Sequence, residues 1–239
     1  MAALVFITGA SRGLGAALAR TVPFSAQVVD ISRSGSPDSE VAHIDADLAD
    51  PSGWASVGQE MNRLLVEHDP DRTVMIHNAG ILEPIGFAGE VDSDAYLANV
   101  VVNSASGQAL GHLYLQSVAR RSGRHSLIMI SSGAARGVYP GWSSYGAAKA
   151  ALDQWVRNVG AEQDIRGGVT VAAIAPGVVD TGMQELIRET DATHFPSVAR
   201  FHDLKRGGDL ADPDTAASKV WTAIQSGLAN GSVVDVRDF

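Results

Sequence analysis

The sequence predicts one doubly wound α/β domain spanning residues 1–239: a mostly parallel, Rossmann-like sheet with helices on both faces. Three observations carry that expectation. Short apolar runs, suited to strands buried on both faces, alternate with helix-forming stretches along the whole chain. The first of these runs passes directly into a glycine-rich turn and then a helix. No Pro/Ser-rich linker, composition shift or internal repeat divides the chain.

The elements follow in order. Residues 3–8, Ala-Leu-Val-Phe-Ile-Thr, make the first strand, and residues 14–22 a helix that Pro23 stops. Strands are expected at 27–31 and 41–44. Pro51, behind Asp50 as cap, opens a helix running to about residue 68. Residues 73–76 read as strand, and 95–121, rich in alanine and leucine, as one long helix ending before Gly123. A strand at 126–130, a helix at 144–165 and a strand at 169–174 come next. Residues 182–212 read as less regular, too long for a simple connection and therefore a lid or binding loop. Pro213 opens a last helix, and 233–236 closes the chain as strand.

Composition narrows the function. The chain has 239 residues, 45% hydrophobic and 19% charged, which excludes general disorder and allows a large core. No apolar run approaches the ~18–20 residues needed to span a bilayer, so no membrane partner is expected. The start, Met1-Ala2-Ala3-Leu4-Val5, lacks the basic region of a signal peptide. A net charge of −9 argues against nucleic acid or an anionic membrane as the main partner. With no cysteine there are no disulfides, thiolate zinc sites or cysteine nucleophiles, which fits a cytoplasmic protein. The seven histidines are scattered without ligand spacing, so no metal is expected.

Three features carry chemistry. Thr8-Gly9-Ala10-Ser11-Arg12-Gly13-Leu14-Gly15 follows the first strand, where glycines permit a tight turn, a close pyrophosphate and close helix–strand packing. The helix behind it would aim unpaired N–H groups at the phosphates. On its own, such a motif is also an ordinary turn. Tyr145 and Lys149 lie four apart at a helix start, so phenol and ammonium share a face. A fixed cation favours the phenolate and would lower the tyrosine pKa from its usual ~10. A chance pair at that spacing is expected about 0.05 times in such a chain, yet a plain surface pair remains the bland alternative. Ser132 ends the strand before that helix, as a turn or cap residue or as a hydroxyl aimed at a substrate carbonyl.

Together Thr8-Gly9-x-x-x-Gly13-x-Gly15, Asn78-Ala79-Gly80, Ser132, Tyr145-x-x-x-Lys149 and Pro176-Gly177-Val178-Val179-Asp180-Thr181 resemble the short-chain dehydrogenase/reductase family in order and spacing, over essentially the whole chain. Ser131-Ser132-Gly133-Ala134-Ala135, Gly141-Trp142, Gly182-Met183-Gln184 and the segment from Arg200 to Lys205 look like its sepiapterin reductase and benzil reductase branch. The resemblance implies that Tyr145 donates the proton, Lys149 tunes it and holds the nicotinamide ribose, and Ser132 polarises the carbonyl. Asn103 falls where the family places a supporting asparagine, with Asn99 one turn away as the rival. The implied cofactor contacts are Gly9, Ser11, Arg12, Gly13, Leu14 and Gly15. Asp47 and Leu48 would meet the adenine; Asn78, Ala79, Gly80, Pro176, Val179 and Thr181 would line the nicotinamide side, with Tyr145 and Lys149 beside it.

The family's Asn-Asn-Ala-Gly appears here as His77-Asn78-Ala79-Gly80. His77 reads either as a pH-sensitive group or, from its strand end, as a hydrogen-bonded core histidine. For the cofactor, the resemblance aligns Ser32 with the acid that NAD enzymes use on the ribose, and places Arg33 beside it. Arg12 adds a second cation, and Asp30 reads as a structural carboxylate. NADPH is thus expected over NADH. Around the site, Tyr139, Trp142, Met183, Phe195 and Phe201 suit a flat, partly aromatic carbonyl compound. Asp235 aligns with the acid that anchors a pterin ring in sepiapterin reductases, or else it faces solvent. The expected activity is carbonyl reduction; oxidation of a secondary alcohol and a catalytically silent nucleotide sensor are the alternatives. The resemblance also implies a homodimer or homotetramer through the helices carrying Asn103 and Tyr145.

Overall fold

A computed structural model describes residues 3–239. Seven strands form one parallel sheet: β1 (Ala3–Thr8), β2 (Ala26–Ser32), β3 (Ala42–Asp45), β4 (Arg72–His77), β5 (Arg124–Ile130), β6 (Thr170–Ala175) and β7 (Val233–Asp235). Their spatial order is β3-β2-β1-β4-β5-β6-β7. The chain therefore starts in the middle, builds outward on one side, then crosses to β4 and builds outward on the other. That reversal opens a crevice beyond the carboxyl ends of β1 and β4, where Thr8 pairs with His77.

Alternation along the strands divides the core in two, because successive side chains point to opposite faces. Val5 and Ile7 of β1, with Val74, Ile76, Ile128 and Ile174, pack against α1 (Gly13–Arg20) and α8 (Pro213–Gln225). Leu4 and Phe6, with Met75, Leu127, Met129 and Val171, face α2 (Trp54–His68), α4 (Ser106–Val118) and α5 (Ser143–Arg166). Both faces are covered, which is why the strands read as unbroken apolar runs. Each such side chain taken fully out of water contributes about 1.5–3 kcal/mol. Trp221 is fixed further by its indole N–H, which donates to the Leu18 carbonyl at 3.1 Å.

Local chemistry sets the helix ends. Asp212 accepts from the N–H groups of Asp214 and Thr215, with Pro213 in the first turn of α8. Asp50 accepts from Ser52 N ahead of a short 3₁₀ turn, Pro51–Gly53, that leads into α2. Gly167, at φ 68°, closes α5 in the left-handed region.

Three expectations are corrected. The stretch 95–121 is not one helix: Asp92 caps α3 (Ser93–Val100), a π turn spans Val101–Ala105, and α4 follows. At the end of the π turn, the hydroxyl of Ser106, the first residue of α4, donates back to the Val102 carbonyl at 2.8 Å, a bond that competes with the regular ladder. The segment 182–212 is regular, holding α6 (Gly182–Glu189) and α7 (Val198–Gly207). Both are short, eight and ten residues, and each buries only two residues, Gln184 and Ile187 in α6 and Val198 and Phe201 in α7. Val236 lies outside β7 and opens a 3₁₀ turn. The two helices form an excursion with pinned ends, since Asp180 N donates to Ala211 O and Ala211 N to Val178 O.

Candidate active site

The crevice is built first from backbone. Gly9 and Gly13 take φ of 71° and 55°, conformations that side-chain-bearing residues rarely adopt. A Cβ on Gly15 would run into the Gly9 carbonyl oxygen, so only glycine lets α1 approach the turn this closely. Asp30, fully buried, accepts from Ala10 N at 2.7 Å and from the Ser32 hydroxyl at 2.7 Å, tying the turn to β2. The first turn of α1 has no side-chain cap and no acidic residue, which leaves its N–H groups free for an anion. Thr181 faces the turn from across the crevice: a Cβ on Gly13 would lie 3.3 Å from its methyl carbon.

Thr8, quoted only as part of the glycine motif, proves to be a clamp. Its Oγ1 accepts from Asn78 N at 3.0 Å and Ala79 N at 2.9 Å, which leaves its proton for His77 Nδ1 at 3.2 Å. His77 Nδ1 is therefore an acceptor, and the ring is neutral. Burial pushes its pKa down to about 3, and the nearby Lys149 charge adds to that. The geometry fits the core-histidine reading. Asn78 Nδ2 donates to the carbonyls of Thr8 and Gly9, so the Asn78–Gly80 segment is bound to the turn from both directions.

The second half of the site lies across β5 and α5. Tyr145 and Lys149 are buried one helical turn apart, with the ammonium 6.0 Å from the phenol ring centre. Lys149 Nζ donates to the Ile130 carbonyl at 3.0 Å. The Ser132 hydroxyl accepts from Ala134 N at 3.2 Å, as a cap residue does, and also faces the Tyr145 phenol. The pKa of Tyr145 runs opposite to the expectation. Burial raises it, the Ser132 hydroxyl opposes only in part, and the phenol keeps its proton. Burial also pushes Lys149 down to about 8, which brings its titration close above neutral pH while Asp153 opposes the fall.

Asn103 lies in the π turn. Its Nδ2 donates to the Ile81 carbonyl at 2.7 Å and to Asn99 Oδ1 at 2.9 Å, and its Oδ1 accepts from Ile81 N at 3.1 Å. A Cβ on Gly80 would come 2.8 Å from Asn103 Oδ1 and 3.7 Å from Lys149 Nζ, which puts Asn103 on the lysine side. Asn99 instead donates to the carbonyls of Ile81, Leu82 and Glu83. A π turn in mid-helix re-aims side chains, a signal that composition does not carry.

Above Tyr145, Trp142 stacks on Phe195 at 4.5 Å, meets the tyrosine edge-on at 5.8 Å and contacts Phe201 at 5.4 Å; Met183 packs against this cluster. Pro176 and Val179 follow β6 toward α6, and Val179 is buried. Arg12 and Arg33 are exposed, Asp47 accepts from Ala49 N, and Leu48 is buried. Asp235 does not face solvent: it is buried, and its carboxylate takes the Arg237 guanidinium at 2.8 and 2.6 Å. That pairing holds its pKa below the usual carboxylate range.

The profile of the short chain dehydrogenase family matches residues 3–192. The chain belongs to that family. This short-chain dehydrogenase is 34% identical over 243 aligned residues to a Bacillus subtilis benzil reductase ((S)-benzoin forming), covering 99% of both chains. It is 29% identical to the Rattus norvegicus sepiapterin reductase, covering 99% of this chain and 97% of that one. Among solved structures, a Saccharomyces cerevisiae short-chain dehydrogenase/reductase matches with a TM-score of 0.84 at 25% identity, over 98% of this chain and 96% of that one. The dehydrogenase is an oxidoreductase of a family that binds nicotinamide dinucleotides, and its cradle fits one: an uncapped helix N-terminus behind glycines in place, and at Gly80 a gap that a Cβ would close. Among the described residues, no helix is long and apolar enough to cross a membrane.

Proposed function

We propose that the protein is an NADPH-dependent carbonyl reductase acting on aryl ketones or diketones. The observation that carries this reading is the convergence of Ser132, Tyr145 and Lys149 at the carboxyl end of the sheet, beneath an aromatic cluster and beside the glycine turn. The bound dinucleotide supplies the hydride. The chain supplies the rest. Ser132 and Tyr145 offer hydroxyl donors to the carbonyl oxygen, where negative charge develops, and Tyr145 Oη gives up its proton there. A phenol that burial keeps protonated suits a proton donor. Lys149, Gly9–Gly15, Asn78, Ala79, Gly80, Val179 and Thr181 are assigned to holding the dinucleotide, and the neutral His77 supports them from behind through Thr8.

NADPH is favoured over NADH because both carboxyl-side groups that a ribose diol would need are already committed. Asp30 is bound to Ala10 and Ser32, and the Ser32 hydroxyl also accepts from Gly35 N. Arg33 and Arg12 remain exposed as partners for a 2′-phosphate. A diketone is favoured over a pterin because Asp235, the acceptor a guanidine-like edge would need, already holds the guanidinium of Arg237. Relatives carrying benzil reductase and sepiapterin reductase names support carbonyl reduction. The same reading places the protein in the cytoplasm, as one unit with residues 182–212 as its lid. It pairs copies through the helices that carry Asn103 and Tyr145, where Leu97 and Val100 of α3 are exposed. The test is a matrix of NADPH and NADH against benzil and sepiapterin, followed by cofactor absorbance. Turnover strongest with NADPH and benzil supports the reading; a preference for NADH overturns the Arg33 assignment, and no turnover in a broad carbonyl panel overturns the activity.

A further inference from the structure

We infer that Asp153 is a positioning residue that keeps Lys149 in its ammonium form while the site works; the inference deepens the carbonyl reductase reading and rests on it. Tyr145, Lys149 and Asp153 follow one another at intervals of four along α5, so each lies one turn beyond the last on a shared stripe. All three are buried, Lys149 at 3% exposure and Asp153 at 2%. A lysine held that deep tends to lose its proton unless an anion faces it.

The groups around the ammonium come from every side of its pocket. From β4 there is the neutral His77, from β5 the Ile130 carbonyl, from the π turn the Asn103 amide near Gly80, and from α5 itself Tyr145 and Asp153. Of these, Asp153 is the carboxylate. It alone brings a full opposite charge, and it raises the lysine pKa against burial.

Asp153 is not locked into a close hydrogen-bonded pair with any other cation. Neither of its oxygens accepts a well-formed hydrogen bond from the protein, although the Ser131 hydroxyl stands near enough to favour the anion. Arg157, one turn further along α5, and Arg136, after the 3₁₀ turn at 133–135, add long-range positive charge in the same sense. Burial raises the carboxyl pKa overall, while these neighbours and, least of them, Lys149 favour the anion. Buried carboxylate and buried ammonium thus sustain each other's ionisation, with the tyrosine one turn away as the group that feels the outcome. Sequence alone hides this, since an aspartate at that helix position reads as a solvated face residue.

The chain has three lysines, Lys149, Lys205 and Lys219, so the Lys149 amine can be followed by nitrogen-15 NMR, with Lys205→Arg and Lys219→Arg for assignment. Asp153→Asn is expected to lower the Lys149 titration midpoint by about one pH unit, a tenfold loss of ammonium above the new midpoint. The alkaline limb of NADPH-dependent benzil reduction should move down by the same amount, and Asp153→Glu should restore both. Asp153→Ser provides the same comparison if the asparagine disturbs folding by circular dichroism. An unchanged Lys149 midpoint in a folded variant overturns the inference, as does a shifted midpoint with an unmoved pH limb. Failure of the wild type to reduce any carbonyl overturns the reductase reading instead, because the amine titration requires no substrate.

Discussion

The glycine turn and the segment over Tyr145 are built by opposite means. The turn is held by directional bonds between single atoms: Thr8 Oγ1 to two backbone N–H groups and a histidine, Asp30 to Ala10 N, Asn78 to two carbonyls. The α6–α7 segment is held by faces of rings, Trp142 on Phe195 and both on Phe201, with two backbone bonds at its base and an exposed Lys205–Asp180 pair at 2.6 Å. Directional bonding demands particular residue types and fixes one geometry. Ring packing demands volume and tolerates rearrangement. Under the proposed function, the first suits a surface that holds one dinucleotide and the second a pocket that takes a carbonyl compound.

The sharpest break of this contrast is Gly15→Val. A branched side chain there collides with the Gly9 carbonyl, which is backbone and cannot yield. We expect a loss of about 3 kcal/mol or more in folding stability, measured by denaturant unfolding, together with loss of dinucleotide affinity; near wild-type stability would show that the turn is not as fixed as described.

A smaller effect concerns His77. Its folded pKa, about 3, lies below the ordinary 6.5, so the unfolded chain takes up a proton that the folded chain refuses. Stability should therefore fall as the pH drops from about 6.5 toward 3 and be fully present above 6.5. Between pH 7 and 5 this amounts to roughly 2 kcal/mol. His77→Asn removes that slope, so comparing unfolding of the two proteins at both pH values checks it; identical pH dependence would place the acid sensitivity elsewhere.

The lid should respond most weakly in stability and more clearly in substrate handling. Phe201→Leu is expected to cost less than about 1.5 kcal/mol while raising KM for aryl diketones several-fold and leaving NADPH affinity unchanged. An equal loss of NADPH affinity would mean that the two regions are not separately built.

The same contrast explains what the amino-acid sequence discloses. The alternation of strands and helices, the glycine turn and the Tyr145–Lys149 pair are legible because each depends on residue type at fixed spacing. The helices α6 and α7 are not, because they are only eight and ten residues long and the Asp191, Thr193 and Pro196 of the turn between them make the whole segment read as loop. The π turn that aims Asn103 hides inside a uniformly helical composition. The Thr8 clamp joins residues some 70 positions apart, visible only when β1 and β4 lie side by side. The direction of the Tyr145 pKa is hidden too, because spacing shows a neighbouring cation but not the burial that raises the pKa.

The central claim is that the Tyr145 hydroxyl delivers the proton that completes carbonyl reduction. It is tested most directly by Tyr145→Phe, assayed for benzil reduction with NADPH while cofactor binding is followed by fluorescence. The account predicts a fall in kcat of ~100-fold or more with NADPH affinity largely kept. Full turnover in the folded variant would contradict it.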